Sequence, residues 1–291
     1  MADTQSVIYA QAYSRNIMQL AQQKYSKLIN CVYMKPNVRG KTFFQDQIGQ
    51  WSMEVKGGRN VQTPNNDPSL ARRMGTMLDY HDNRLLDRGD ELRTISDPRS
   101  AYTIAAAQAL GRKMDDVIFK ALEGGAYSGE TGTTLNTLGA AQYYDTTSSS
   151  ALSFASVRAI KRILDNADVE QEDRFFAVPP IALEDLLGAS EATSSDYNAV
   201  KALIRGEIDT WMGFKWITST RCQNDAESLW GTDTRSCVAW QRNGLCLALA
   251  DAPVVRTDER PDLSYSWQVY YELNIGAVRL EEEKVAVHLT D

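Results

Sequence analysis

Apolar side chains change rhythm several times along this chain, and each rhythm predicts an element. Ala10, Tyr13, Ile17, Leu20, Ala21, Tyr25 and Leu28 recur at three- and four-residue steps, which predicts an amphipathic N-terminal helix. Two readings of that helix stay open: it packs on its own domain, or it is an arm docked on a neighbouring copy. Phe44, Ile48, Trp51, Met53 and Val55 predict a strand, with a bulge near Gly49 where the alternation slips. Residues 56–69 are turn-rich, with Gly57-Gly58, Pro64, Asn65-Asn66 and Asp67-Pro68. A second extended run, Arg72 to Leu86, completes a long two-stranded excursion with a polar tip.

The clearest element follows. Asp97 suits an N-cap and Pro98 the first helical position. Ile104, Leu110, Met114, Val117, Ile118, Ala121 and Leu122 then form a helical stripe, stopped by Gly124-Gly125. Pro98 to Glu123 would span about 39 Å at 1.5 Å per residue, a beam roughly twice the mean helix length. Residues 127–150, rich in Gly, Ser and Thr, read as loop. Phe154 to Leu164 predicts a helix, Arg174 to Val178 a short buried strand ended by Pro179-Pro180, and Ile181 to Leu187 a short helix closed by Gly188. Tyr197 to Arg205 reads as another helix and Ile208 to Ile217 as a strand. Cys237–Gln241 and Leu245–Leu249 flank Asn243-Gly244, a hairpin signal. Asp258 to Pro261 reads as a polar connection. Trp267 to Ile275 and Val285 to Leu289 alternate as a C-terminal strand pair joined by a solvated turn, Glu281-Glu282-Glu283.

Composition narrows the function classes. At 291 residues, 43% hydrophobic and 24% charged, the chain can bury a real core. Its apolar runs fall short of the roughly 20 residues a membrane helix needs. Residues 1–5 do not read as the start of a signal peptide, so a cytoplasmic origin is expected. A net charge of −7 disfavours steering toward phosphate backbones. Cys31, Cys222, Cys237 and Cys246 lack metal-site spacing and read as reduced, buried thiols. His81 and His288 are the only histidines, which leaves few routes to a nucleophilic triad. The glycine-rich run from Tyr127 to Thr134 lacks the Lys and hydroxyl ending of a phosphate loop and reads as a flexible loop. Asp115 and Asp116 are adjacent on a helix, so they diverge and cannot face one another as an acid–base pair. Asp79 and His81 share one face of an extended run, which suits a local hydrogen bond. No catalytic residue, cofactor site or metal site is expected; a soluble α/β enzyme would need a pocket of converging polar groups that the sequence does not supply.

The excursion carries the physical argument. A lone two-stranded ribbon is marginal in water. It also offers open backbone edges and large side chains such as Phe43, Phe44, Trp51 and Met77. Either the rest of the chain covers it or another subunit does, and its length favours another subunit. Candidate inter-subunit residues are Phe44, Trp51, Lys56, Arg59, Arg72 and Arg73. For the arginines, grouped near the ribbon's tip, two roles stay open: solubility, or ion pairs to an acidic patch on the next subunit.

The order of elements resembles the major capsid proteins of tailed double-stranded DNA bacteriophages, with their HK97-type fold. Ile95-Ser96-Asp97-Pro98 leading to Leu110-Gly111-Arg112-Lys113-Met114 resembles the spine helix of that family. Trp211-Met212-Gly213-Phe214-Lys215-Trp216 resembles an A-domain strand, and Trp267 to His288 the closing P-domain strands. The resemblance implies an α+β, HK97-like capsid fold: an N-terminal arm (1–40), an E-loop with flanking P-domain strands (41–95), a spine helix (96–126), a mixed α/β A-domain (127–262) and C-terminal P-domain strands (263–291). It implies hexamers and pentamers closing into an icosahedral shell around phage DNA, with synthesis in the bacterial cytoplasm and residence in the virion. A separate scaffolding protein and a portal would be partners, with decoration proteins left open. The spine helix begins too early for the cleaved scaffolding domain that some relatives carry. Some relatives cross-link a loop lysine to an asparagine with help from a glutamate; Lys41, Lys56, Asn274 and Glu272 read as ordinary surface residues, and no cross-link is expected. An encapsulin-type nanocompartment shell is the alternative within the same fold.

Overall fold

The computed structural model describes residues 21–87, 99–144, 151–188, 209–222 and 235–290. Strands are β1 (Tyr33–Lys35), β2 (Thr42–Ile48), β3 (Leu70–Thr76), β4 (Leu78–Leu86), β5 (Ala126–Ser128), β6 (Thr134–Asn136), β7 (Arg174–Val178), β8 (Thr210–Trp211), β9 (Phe214–Thr218), β10 (Arg235–Gln241), β11 (Leu245–Leu249), β12 (Val254–Arg260), β13 (Ser266–Arg279) and β14 (Val285–Thr290). Helices are α1 (Arg99–Glu123), α2 (Phe154–Asn166) and α3 (Pro180–Gly188). Among the described residues, no helix is long and apolar enough to cross a membrane.

The chain forms two compact units. The smaller holds residues 21–25, 79–87, 99–113 and 252–273. In it β12 pairs antiparallel with β13, from Val254↔Glu272 to Arg260↔Ser266, and β4 also pairs with β13. The Lys113 ammonium lies 4.5 Å from the Tyr80 ring centre, and the Tyr271 hydroxyl donates to Asp82 at 2.8 Å. The polar connection expected at Asp258–Pro261 is the end of β12 and the start of a turn, because cross-strand pairing continues to Arg260.

The larger unit is built on a sheet of order β14-β10-β7-β9-β8. Every residue of β7 is buried, which is why its sequence, Arg-Phe-Phe-Ala-Val, shows no alternation. Helix α2 lays Val157, Ile160 and Leu164 against Phe176, Val178, Cys237, Ala239 and Ala286. Its start is fixed by a capping box in which Ser153 and Ser156 each bond the other's backbone N–H. A second core gathers Val38, Phe43, Met77, Ala126, Cys246, Ala248, Val278 and Leu280. It is framed by β1, by β11 on residues 275–279 of β13, and by the antiparallel sheet β2-β3-β5-β6.

Helix α1 ends at Glu123 as its glycine pair predicts, with the Gly124 N–H returning to Lys120 O at 2.9 Å. Its buried stripe is Ala106, Leu110, Met114, Ile118, Phe119 and Leu122, whereas Ile104 faces outward. Asp97, Pro98, the helix expected at Tyr197–Arg205 and residues 1–20 of the N-terminal stripe lie outside the described residues.

Several expectations are corrected, each by a long-range partner. Residues 21–28 are not helical, because Asp115 takes the backbone N–H groups of Lys27 and Leu28. Strand β2 stops at Ile48 rather than reaching Val55; Gly49 is a close approach and not a bulge, since its N–H bonds Ser69 O at 2.7 Å and a Cβ there would collide with Ser69. The run from Arg72 to Leu86 is two strands, β3 and β4, broken at Met77. The expected loop at 127–150 begins instead with the hairpin strands β5 and β6. The strand at Ile208–Ile217 is the hairpin β8–β9, whose turn places Met212 at φ 51° and Gly213 at φ 85°.

Asn243-Gly244 makes no hairpin. The chain takes a short 3-10 turn there, capped by the Gln241 side chain on Asn243 N at 2.7 Å, and passes from one sheet to another. Strand β10 pairs with β7 and β14, while β11 pairs with β1 and β13. For the same reason the two C-terminal strands are not partners: β13 joins β11 and β12, and β14 joins β10.

Candidate functional site

The ribbon places its apolar side chains in the open. Strands β2 and β3 pair from Thr42↔Thr76 to Ile48↔Leu70, and pairing stops there. Trp51 is 74% exposed and Met53 and Val55 are each 96% exposed, while Ile48, Val61 and Leu70 are also exposed. Lys56 and Arg59 are exposed on the same stretch. Beyond the last pair the Gly49 N–H donates to Ser69 O at 2.7 Å and Asn66 Nδ2 to Glu54 at 3.0 Å. A monomeric surface rarely leaves this many large apolar groups side by side.

Phe44 is half-buried, with the Arg72 guanidinium 5.5 Å from its ring centre. Arg72 Nε donates to Asp46 at 2.5 Å on the exposed face. That hydrogen bond, together with the Arg72 charge, holds the Asp46 carboxyl below its ordinary range. Arg73 has a different place from the one its sequence neighbour suggested. It is 8% exposed, away from the tip, and its bonded nitrogens find their partners within its own subunit. Its Nε donates to Leu280 O at 2.9 Å and its Nη2 to Glu282 at 2.5 Å. Inward and outward positions alternate along β3, so adjacent arginines go opposite ways. Glu282 is therefore an ion-pair partner rather than part of a merely solvated turn; Glu281 pairs with Lys284 at 2.9 Å.

Two buried polar centres lie in the larger unit. Arg279 is fully buried, and its Nη1 donates to Leu122 O at 2.8 Å and Gly124 O at 2.6 Å, while Nη2 donates to Asn136 O at 3.2 Å. The first two carbonyls lie at the C-terminal end of α1, where unsatisfied acceptors and the helix dipole favour a cation. Asp115 is also fully buried; it accepts from Ser26 Oγ at 2.6 Å, Lys27 N at 3.1 Å and Leu28 N at 3.2 Å. Asp116 turns instead toward Arg221, at 3.6 Å, so the adjacent carboxylates do diverge. The only legible signal was an acidic residue on an apolar helix face, and it does not name a partner.

Glu123 is half-buried and accepts a hydrogen bond from Ser236 Oγ. Burial pushes its carboxyl pKa up, and the Ser236 bond opposes the shift only in part. A neutral folded-state carboxyl contributes stability that is full below the ordinary value of 4.5 and is lost as pH rises through the raised value. Glu123→Gln keeps an acceptor for Ser236 and removes the charge. It is expected to melt higher than the parent at pH 7 and level with it below about pH 4.5, as thermal melts across pH would show.

Burial raises the Cys31 and Cys246 thiols to about 11 and also raises Cys222 and Cys237, so all four sit as buried thiols rather than reactive thiolates. The glycine-rich run is an ordered hairpin turn, with the Gly132 N–H bonded to Gly129 O at 3.2 Å, and not a flexible loop. His81 lies near the Tyr270 ring at 6.5 Å. No cluster of metal-ligating side chains occurs among the described residues.

Comparison with known proteins gives one consistent answer. The family model described as phage capsid protein matches residues 6–290. The capsid structure of cyanophage P-SCSP1u is similar at a TM-score of 0.75 and 13% identity, covering 98% of this chain and 94% of that one. The capsid of Ralstonia phage GP4 is similar at 0.74 and 13% identity, over 100% and 97%. The capsid of a native GTA particle is similar at 0.70 and 12% identity, over 99% and 97%. Comparison with the curated proteins gives no match. The fold is thus HK97-like, and the encapsulin alternative is not favoured.

Proposed function

This chain belongs to the phage capsid protein family, and on that basis we propose that it closes into an icosahedral shell by laying residues 48–70 across a sister subunit. It is a structural major capsid protein. Hexamers and pentamers are its building blocks, and the shell encloses double-stranded DNA without reading its sequence. A separate scaffolding protein and a portal take part in assembly. Residues 42–86 act as the E-loop, α1 as the spine helix, and Phe44, Trp51, Lys56, Arg59 and Arg72 as contacts to the neighbour.

The observation that carries this reading is the run of exposed apolar side chains, Ile48, Trp51, Met53, Val55, Val61 and Leu70. Burying each against a neighbour is worth about 1.5–3 kcal/mol, and the subunit's own core is already filled without them. Net acidity gives Lys56, Arg59 and Arg72 a complementary surface on the next copy. Sedimentation velocity and electron microscopy of the purified protein should find capsomers and closed particles; a stable single protomer at high concentration would contradict the reading. Arg72→Gln removes only a solvent-accessible ion pair with Asp46, which contributes little to folding; it should leave the protomer's melting temperature near that of the parent and lower shell yield. Unchanged yield by electron microscopy would remove Arg72 from the contact set.

A further inference from the structure

Where the ribbon leaves the body of its subunit, both of its strands meet one carbonyl. Gln47 Nε2 of β2 and Arg73 Nε of β3 donate to Leu280 O at 3.1 Å and 2.9 Å. Glu282 fixes Arg73 from the other side at 2.5 Å, and its second carboxylate oxygen lies 3.8 Å from Arg279 Nη2. Arg279 in turn grips the end of α1 through Leu122 O and Gly124 O. The turn that carries Leu280 and Glu282 is itself held, with the Leu280 N–H donating to Gly244 O at 2.8 Å. Gln47 is the immediate neighbour of Ile48, the last paired residue of β2. The contact therefore lies beside the point where pairing ends and the exposed stretch begins.

Such a joint is more than is needed to keep β2 and β3 together, since their own ladder does that. A guanidinium offers a planar fork that fixes direction as well as distance. We propose that Arg73, Glu282 and the Leu280 carbonyl form a clasp that sets the angle at which residues 49–69 leave the subunit, and so decides whether they reach a second copy of this chain. The inference rests on the shell reading above. Arg73 and Glu282 are positioning residues in it, acting through the ribbon, and neither needs to touch the neighbour.

The test compares shell yield with the folded fraction of free protomer for the parent, Glu282→Gln and Arg73→Lys. Glu282→Gln removes the ion pair and keeps the side chain's shape. At a temperature where all protomers are folded, its shell yield is expected to drop about tenfold, the loss of one charge-assisted bond. Arg73→Lys keeps the charge toward Glu282 and gives up the fork onto Leu280. Read the same way, it is expected to lose about threefold, less than the full ion-pair loss, and it stands as the test should Glu282→Gln not fold. Yields equal to the parent's, or yields that fall only in step with the folded fraction, overturn the clasp while leaving the shell reading intact. A parent chain that forms no shells overturns the shell reading, and the clasp with it.

Discussion

Arg279→Met is expected to lower the stability of the protomer by about 3 kcal/mol or more. The substitution leaves a side chain of similar reach in the core but takes the donors from Leu122 O, Gly124 O and Asn136 O. Three backbone acceptors then lose these bonds, the one at Leu122 fully buried and those at Gly124 and Asn136 partly so. Burial already presses the guanidinium pKa down from its ordinary value, with the Glu282 charge opposing, so the cation is held in place by its partners and not by solvent. Arg279→Lys keeps a charge but cannot span the same carbonyls, and should recover only part of the loss. Urea unfolding followed by tryptophan fluorescence gives the difference directly. A shift under about 1 kcal/mol, the range of an ordinary surface change, would mean that the carbonyls find other partners.

The second large effect is on assembly alone. Trp51, Met53 and Val55 are exposed in the protomer, so replacing all three by serine should leave its melting transition unchanged. In the shell the same change removes about 5 kcal/mol of apolar burial per subunit, which is roughly three to four orders of magnitude in association. Shells should disappear from electron micrographs while the protomer's circular dichroism and melting stay those of the parent. Loss of protomer stability in parallel would show that the three side chains belong to the subunit's own core.

How much of this was legible in the sequence follows from the range of the interactions. Helix α1 and strand β7 are set by local periodicity, length and flanking Gly or Pro, and both stand where the pattern puts them. The alternation of Trp267 to Ile275 likewise marks β13. Pairing was not legible. Asn243-Gly244 has the residues of a tight hairpin, yet β10 and β11 belong to different sheets, because the backbone edges of β10 are taken by β7 and β14 and those of β11 by β1 and β13. Arg73 shows the same limit at a single residue: composition placed it with Arg72 outside, and the pleat turned it to Glu282 inside. Arg279 and Asp115 were silent because their partners lie far off in sequence, on α1 and at Ser26 to Leu28 respectively. The exposed ribbon was legible only in part: an excess of large apolar residues among turn formers marks Trp51, Met53 and Val55, whereas Phe43 and Met77, expected to lie open, are buried in the subunit's own second core by partners distant in sequence.

Where residues 48–70 lie once subunits have met decides between a shell contact and a self-contained protomer. A cryo-electron microscopy reconstruction of the assembled particles measures this directly. Trp51, Met53 and Val55 are expected to be enclosed against an adjacent subunit, with Arg73 still on Glu282 of its own. A reconstruction in which those side chains face solvent, or fold back onto the subunit that bears them, would contradict the shell contact.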